Sequence, residues 1–175
     1  TSGSPAGCGQ CNRSSPRGGV REGVHGGCGR GVQTLRPPLE ERLLRLAEYW
    51  STWSTCFVKH GAVLAVGNRV IAQGYNGAPS GLPHCIDVGC DLHRGRCRRT
   101  IHAEDNCLRW AREVTGEATF PDATLYVTGS PCRDCQTLIA MAGIKRVVDR
   151  CVYGGVVPDL EGVEWIEWGW GGGVG

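Results

Sequence analysis

Two short clusters, His102-Ala103-Glu104 and Pro131-Cys132-Arg133-Asp134-Cys135, constrain this 175-residue chain more than any other feature. Each opens a stretch with helical apolar spacing, and one β-branched stretch, 124–128, lies between them. Two helix starts that flank a single strand can face each other across its end, which would bring one histidine and two cysteines together. These are three donors of the kind zinc takes, with a fourth position left for water, the pattern of a catalytic rather than a closed structural site. Cys132 and Cys135 are three apart, so both sulfurs point the same way. Pro131 is expected in the first helical turn, where its missing N–H costs nothing. The positive end of the helix would lower the thiol pKa, and a bound metal would bring its water toward a pKa of ~7. Glu104 falls outside the ligand set. A carboxylate two residues from a metal histidine can take a proton from that water and return it to substrate. A lone Cys-x-x-Cys is more often a structural knuckle or a redox pair. Here both halves sit at helix starts around one strand, the context that the catalytic reading requires.

The rest of the chain reads as one α/β domain between unusual ends. Residues 1–36 hold ten of the 28 glycines and almost no aliphatic side chains, too little to offset the entropy of ordering. We expect a disordered Gly/Arg-rich segment there, a domain over 37–168 and a Gly-rich tail over 169–175. Apolar spacing after Pro37-Pro38 predicts a first helix from Leu39 to Trp50. Residues 62–66 and 70–72, joined by Gly67-Asn68, read as a hairpin. Residues 74–101 read as a long loop. A helix over 101–117, a strand over 124–128, a helix opened at Pro131 and stopped by Gly143, and a strand over 146–148 complete the order. That order implies a three-layer α/β/α domain with helices on both faces of a sheet. The overall composition, 41% apolar and 21% charged with a formal charge of +2, excludes a highly charged disordered chain and gives little reason to expect a nucleic-acid face. No uncharged stretch approaches the length of a bilayer span, and no signal-peptide core is visible, so a cytoplasmic location without a membrane partner is the expectation.

The flanking residues extend the pattern. Gly74-Tyr75-Asn76-Gly77-Ala78-Pro79-Ser80-Gly81 follows the second strand, and Arg99-Thr100-Ile101 leads into His102. Ala123-Thr124-Leu125-Tyr126-Val127-Thr128 precedes the cysteine pair, and Ala142-Gly143-Ile144-Lys145-Arg146-Val147-Val148 follows it. Histidine-x-glutamate with proline-cysteine-x-x-cysteine is the zinc deaminase signature. With these flanks, residues 37–157 resemble the deoxycytidylate (dCMP) deaminases, including bacterial, phage and competence-associated forms. The resemblance implies a cytidine-deaminase-like fold with a five-stranded mixed sheet, and hydrolysis of dCMP to dUMP and ammonia. It makes His102, Cys132 and Cys135 the catalytic zinc ligands and Glu104 the proton shuttle acting at N3 and at the departing amine. It places Asn76 at a deoxyribose-contacting position, with Gly77, Arg99 and Ala103 beside the substrate. Tyr153 either flanks the base or packs in the core. dCTP and dTTP would be effectors, and the chain would form a homo-oligomer, a trimer or hexamer. Two positions depart from the pattern: Trp53 precedes Ser54-Thr55-Cys56 where arginine is common, and His60 stands where an aliphatic residue is usual. Arg98 or Arg99 can replace the missing arginine as a phosphate donor. A solvated basic loop is the competing reading of Arg94, Arg96, Arg98 and Arg99.

Eleven cysteines in a chain without an export signal suggest metal ligation before disulfides. Cys56, Cys85, Cys90 and Cys97 sit where some relatives bind a second zinc. Four thiolates could close a tetrahedral structural site, with His84 or His93 as substitute donors. Cys107 and Cys151 read as core residues. Cys8, Cys11, His25 and Cys28 imitate a zinc module but lack the core that such a module needs. Three rival readings stand beside dCMP deamination. One is another enzyme of the same fold acting on free cytidine, guanine or tRNA adenosine, the last opposed by the weak net charge. The others are a catalytically silent nucleotide-binding regulator, opposed by Glu104, and a structural zinc protein, opposed by the three-donor count.

Overall fold

The chain divides into two units, Thr1–Leu35 and Arg36–Gly175, and a computed structural model describes residues 36–93, 96–150 and 160–169, all in the second unit. The readings of Cys8, Cys11, His25, Cys28, Arg94, Cys151 and Tyr153 therefore lie outside the described residues, and Arg96 is described by its backbone alone. The elements run α1 (Leu39–Ser51), β1 (Gly61–Val66), β2 (Arg69–Tyr75), α2 (Cys85–Val88), β3 (Leu92–His93), β4 (Arg96–Cys97), α3 (Ala103–Thr115), β5 (Thr124–Val127), α4 (Arg133–Met141), β6 (Arg146–Asp149) and β7 (Glu164–Glu167).

Five strands form one mixed sheet in the order β2-β1-β5-β6-β7. β1 is antiparallel to both β2 and β5, whereas β5, β6 and β7 are parallel. Side chains alternate between the two faces of each strand, and the apolar residues follow that period. Ala62, Leu64, Leu125, Val127 and Val147 pack under α3 and α4 with Cys107, Leu108, Ala111 and Ile139. Val63, Ala65, Tyr126 and Val148 pack under α1 with Leu43, Leu44 and Ala47. These two cores make the three layers that the order of elements implied.

Two glycines let helices approach the sheet. A Cβ at Gly61 would collide with the Ala47 carbonyl of α1, and one at Gly74 would lie 2.5 Å from the Cys107 nitrogen and 2.6 Å from the Ala103 oxygen of α3. Arg150, at the end of β6, is 3% exposed and pairs with Glu41 and Glu48, which ties α1 to the sheet. Trp168 also donates to Glu41 at 3.0 Å.

The structure departs from the sequence reading in three places. Residues 74–101 are not a bare loop, because they carry α2 and the β3–β4 hairpin. Pro131 lies one residue before the N-cap of α4, which is Cys132, rather than in its first turn. The fifth strand, which only the family resemblance implied, is β7, a segment too short and too charged at both ends to show a strand pattern by itself.

Gly74→Ala should overpack the β2–α3 contact, with an expected cost of about 1–3 kcal/mol. Because the displaced backbone belongs to the helix that begins at His102, zinc affinity should fall together with the thermal midpoint. Thermal unfolding with and without a chelator checks both.

Candidate active site

The C-terminal ends of β2 and β5 flank the start of β1, since Gly61 pairs with Tyr75 and Ala62 with Val127. The chain leaving β5 enters α4 directly, and the chain leaving β2 returns to α3 through residues 76–102. That return is drawn shut by a reciprocal bridge between Gly77 and Ile101 and by Asn106 Nδ2 donating to the Tyr75 carbonyl at 2.8 Å. His102 is thereby the N-cap of α3 and Cys132 the N-cap of α4, with Ala103 and Glu104 in the first turn of α3 and Cys135 in that of α4.

His102 Nδ1 lies 3.3 Å from Cys135 Sγ and 3.5 Å from Cys132 Sγ. All three donor atoms are within 4.8 Å of one another. Zinc bond lengths to nitrogen and sulfur put tetrahedral N and S ligands roughly 3.5 Å apart. The donor chemistry agrees with that spacing. The Cys132 thiol is pushed down to about 3, first by its hydrogen bond with Cys135, then by His102 and the Cys135 N–H. Cys135 is pushed up, because the Cys132 sulfur beside it and burial both oppose a second thiolate. Two thiolates at this distance need a cation between them. Glu104 is 7% exposed, and burial raises its carboxyl pKa against the opposing pull of a backbone N–H and His102. A carboxyl group that holds its proton more tightly than usual suits a donor and acceptor role near neutral pH.

His102, Glu104 and Cys132 line a cavity of about 120 Å³ with His60, Asn76, Thr100, Ala103, Gly129 and Ser130. Asn76 is committed to the backbone. Its Oδ1 accepts from the His60 N–H at 2.7 Å, and its Nδ2 donates to the Val58 carbonyl at 2.8 Å. Gly77 and Arg99 do not line the cavity. Arg98 pairs with Asp91 at 3.3 Å, whereas Arg99 keeps a buried Nε with no hydrogen-bond partner among the described residues. Trp53 stacks between Trp50 and Tyr75, with centroids 5.1 and 6.3 Å away, so this departure builds surface aromatic packing and leaves the cavity alone.

Ser130, Gly129 and His60 line the cavity without a role assigned to them from the sequence. Ser130 Oγ donates to Asp149 at 3.0 Å, and Asp149 also accepts from Trp165 Nε1 at 2.9 Å, so a 2%-exposed carboxylate on β6 fixes the cavity rim. Gly129 and His60 face each other there. The Ser-Pro-Cys run and an aspartate closing a parallel strand were the available signals, and neither is specific alone.

A second donor group stands alongside. The Sγ atoms of Cys56, Cys85, Cys90 and Cys97 all lie within 4.8 Å of one another, with Cys56–Cys90 and Cys85–Cys97 at 3.6 Å. Tetrahedral zinc–sulfur geometry gives roughly 3.8 Å. Burial resists ionisation of Cys97, but the backbone at Arg99 and the Cys85 thiol outweigh it and hold the group at about 7. Burial lifts Cys85 to about 12. His84 and His93 stand outside this group, and His84 Nδ1 instead contacts Thr55 Oγ1 at 3.2 Å. Cys56 and Cys97 also line the cavity of His102 and Glu104, so the two groups share a wall. The seven described cysteines are free, and Cys107 is fully buried in the core as expected.

Residues 39–151 match the family model of the cytidine and deoxycytidylate deaminase zinc-binding region. The chain belongs to the cytidine and deoxycytidylate deaminase family. Among similar family members is the deoxycytidylate deaminase of Schizosaccharomyces pombe, 36% identical over 68% of this chain and 39% of that protein. ComE operon protein 2 of Bacillus subtilis is 41% identical over 54% of this chain and 49% of that protein. The deoxycytidylate deaminase of Mycobacterium phage D29 is 37% identical over 65% and 94%. The crystal structure of the cyanophage S-TIM5 dCMP deaminase in complex with dCMP and dUMP superposes with a TM-score of 0.62 at 33% identity, covering 76% of this chain and 98% of that one. The chain thus spans about two-fifths to a half of the first two relatives' length and nearly all of the D29 and S-TIM5 proteins. Zinc is the family's metal, and the His102-Cys132-Cys135 group of this deaminase domain fits it. No helix among the described residues is long and apolar enough to cross a membrane.

With both donor groups filled, elemental analysis should give about two zinc ions per chain. Cys132→Ser and Cys90→Ser should each lower that value by about one, and a wild-type value near one would remove the four-cysteine site.

Proposed function

We propose that this domain deaminates dCMP to dUMP and ammonia. One observation carries the reading: a buried carboxyl group, Glu104, stands beside a three-donor metal group on the wall of a cavity sized for a single ring. A cavity of roughly 150 Å³ takes up one benzene molecule, so about 120 Å³ favours a pyrimidine over a fused two-ring base. The deoxycytidylate deaminases among the relatives support the same choice. The bound nucleotides in the S-TIM5 structure add a third line of support.

Zinc held by His102, Cys132 and Cys135 would supply the Lewis acidity that makes water a nucleophile near neutral pH. Glu104 takes the proton that water loses as it adds to C4 and passes it to N3 of the ring. It then takes the proton of the hydroxyl now on C4 and gives it to the exocyclic amine, which leaves as ammonia as the C4 carbonyl forms. The raised pKa of Glu104 lets one carboxyl group serve in both directions. Ala103 offers backbone at the cavity floor. Asn76 holds the backbone of residues 58–60 in place, and Gly77 closes the strand end behind it. Arg99, with its Nε unpartnered, is our choice for the 5′-phosphate.

The wider reading follows the family resemblance. The four-cysteine group holds a second, structural zinc, and residues 37–168 form the deaminase domain. The protein works as a homo-oligomer, trimeric or hexameric, with dCTP and dTTP as effectors. Cysteines grouped as metal donors rather than paired in disulfides support a reducing compartment such as the cytoplasm.

Glu104→Gln should keep its zinc and lose about 10²–10⁴-fold in kcat on dCMP. Normal ammonia release by that variant would end the proton-shuttle assignment. Arg99→Ala should raise KM for dCMP while leaving deoxycytidine turnover nearly unchanged, since only the former carries the phosphate. Steady-state ammonia assays on both substrates check it.

A further inference from the structure

His60 stands just before β1, and its half-buried imidazole lines the cavity that holds Glu104 and His102. Its main chain is fixed by a reciprocal pair. The His60 N–H donates to Asn76 Oδ1 at 2.7 Å, and the Asn76 N–H donates to the His60 carbonyl at 3.1 Å. Its ring lies against Gly129, where an added Cβ would sit 2.9 Å from Cε1 and 3.1 Å from Nδ1. The imidazole does not join the His102-Cys132-Cys135 donor group, so it is a neighbour of the metal ligands and not a fourth ligand. Among the described residues, neither ring nitrogen has a hydrogen-bond partner. An aliphatic side chain would give a bound ring contact area alone. An imidazole adds a flat face, one N–H donor and one acceptor when neutral. A cavity group with uncommitted polar atoms discriminates strongly, because a ligand that fails to pair with it leaves it desolvated and unpaired.

We propose that His60 is a specificity-determining residue whose ring touches the bound pyrimidine and donates a hydrogen bond to it, an inference that rests on the pyrimidine-nucleotide reading above. Gly129 is part of the same device: its missing side chain lets the ring stand back from the space the base occupies.

His60→Val should raise KM for dCMP about tenfold, the size of one neutral hydrogen bond, with kcat, zinc content and thermal midpoint changed little. Gly129→Ala should push the imidazole into the cavity and raise KM comparably in the wild-type background. In the His60→Val background it should add almost nothing, because the atoms it displaces are gone. A binding readout accompanies turnover. The His60 Cε1–H proton resonance, assigned by its loss in His60→Val, should shift on saturation with dUMP. Unchanged KM in a folded, zinc-loaded His60→Val protein, additive Gly129→Ala effects, or a His60 resonance indifferent to dUMP each overturn the proposal. If wild-type protein releases no ammonia from dCMP, the substrate reading fails, and the dUMP titration still decides the role of His60.

Discussion

Two helices begin where two strands end, and the remaining chemistry depends on that coincidence. α3 and α4 both start at the edge defined by Tyr75, Gly61 and Val127, which brings His102 Nδ1 to within 3.5 Å of two sulfurs. Cys132 ionises readily and Cys135 resists, so the pair is unbalanced until a cation shares both sulfurs. The geometry that makes the thiols poor neighbours makes them good ligands. Glu104 follows from the same arrangement, since its place in the first turn of α3 puts a carboxyl beside the group without joining it.

The sheet supplies the rigidity that this arrangement needs. Alternating side chains from β1, β5 and β6 build one core beneath α3 and α4 and another beneath α1. Each helix start is therefore held on a surface packed from both sides. At Gly74 the absence of a side chain sets how closely α3 lies on β2. A small change in the core would thus reach the metal group as a shift in position rather than a loss of chemistry.

Much of this was legible beforehand because the informative residues are local in sequence. His102-Ala103-Glu104 and Pro131-Cys132-x-x-Cys135 announce both their chemistry and their places at helix starts, and Leu39, Leu43, Leu44 and Ala47 carry a plain helical period. What escaped depends on pairing across the fold. Trp165 and Ile166 lie between two glutamates, and nothing short of a parallel neighbour, β6, makes them a strand. Asp149 looks like any acidic residue at a strand end until Ser130 and Trp165 are seen to donate to it. Gly77 and Arg99 belong to recognisable runs, yet only coordinates show that Gly77 bridges to Ile101 and that Arg99 stands outside the lining of the cavity. His60 was visible as an odd residue, and its position over Gly129 needed coordinates.

The segment between β2 and α3 coheres in a different way from the rest of the domain. Its small core is Cys85 and Cys97 with Cys90 against them, joined by Cys56 from the connection between α1 and β1, and no aliphatic side chain is among them. Clustered sulfur stands there where leucine and valine stand under the helices. The cavity beside His102 is lined in part by the apolar Val58, Leu92 and Ala103 and in part by Cys56 and Cys97 of the thiol cluster. Heat or denaturant would test the first, and chelators or oxidants the second, so a single domain carries two separable forms of fragility around one chamber.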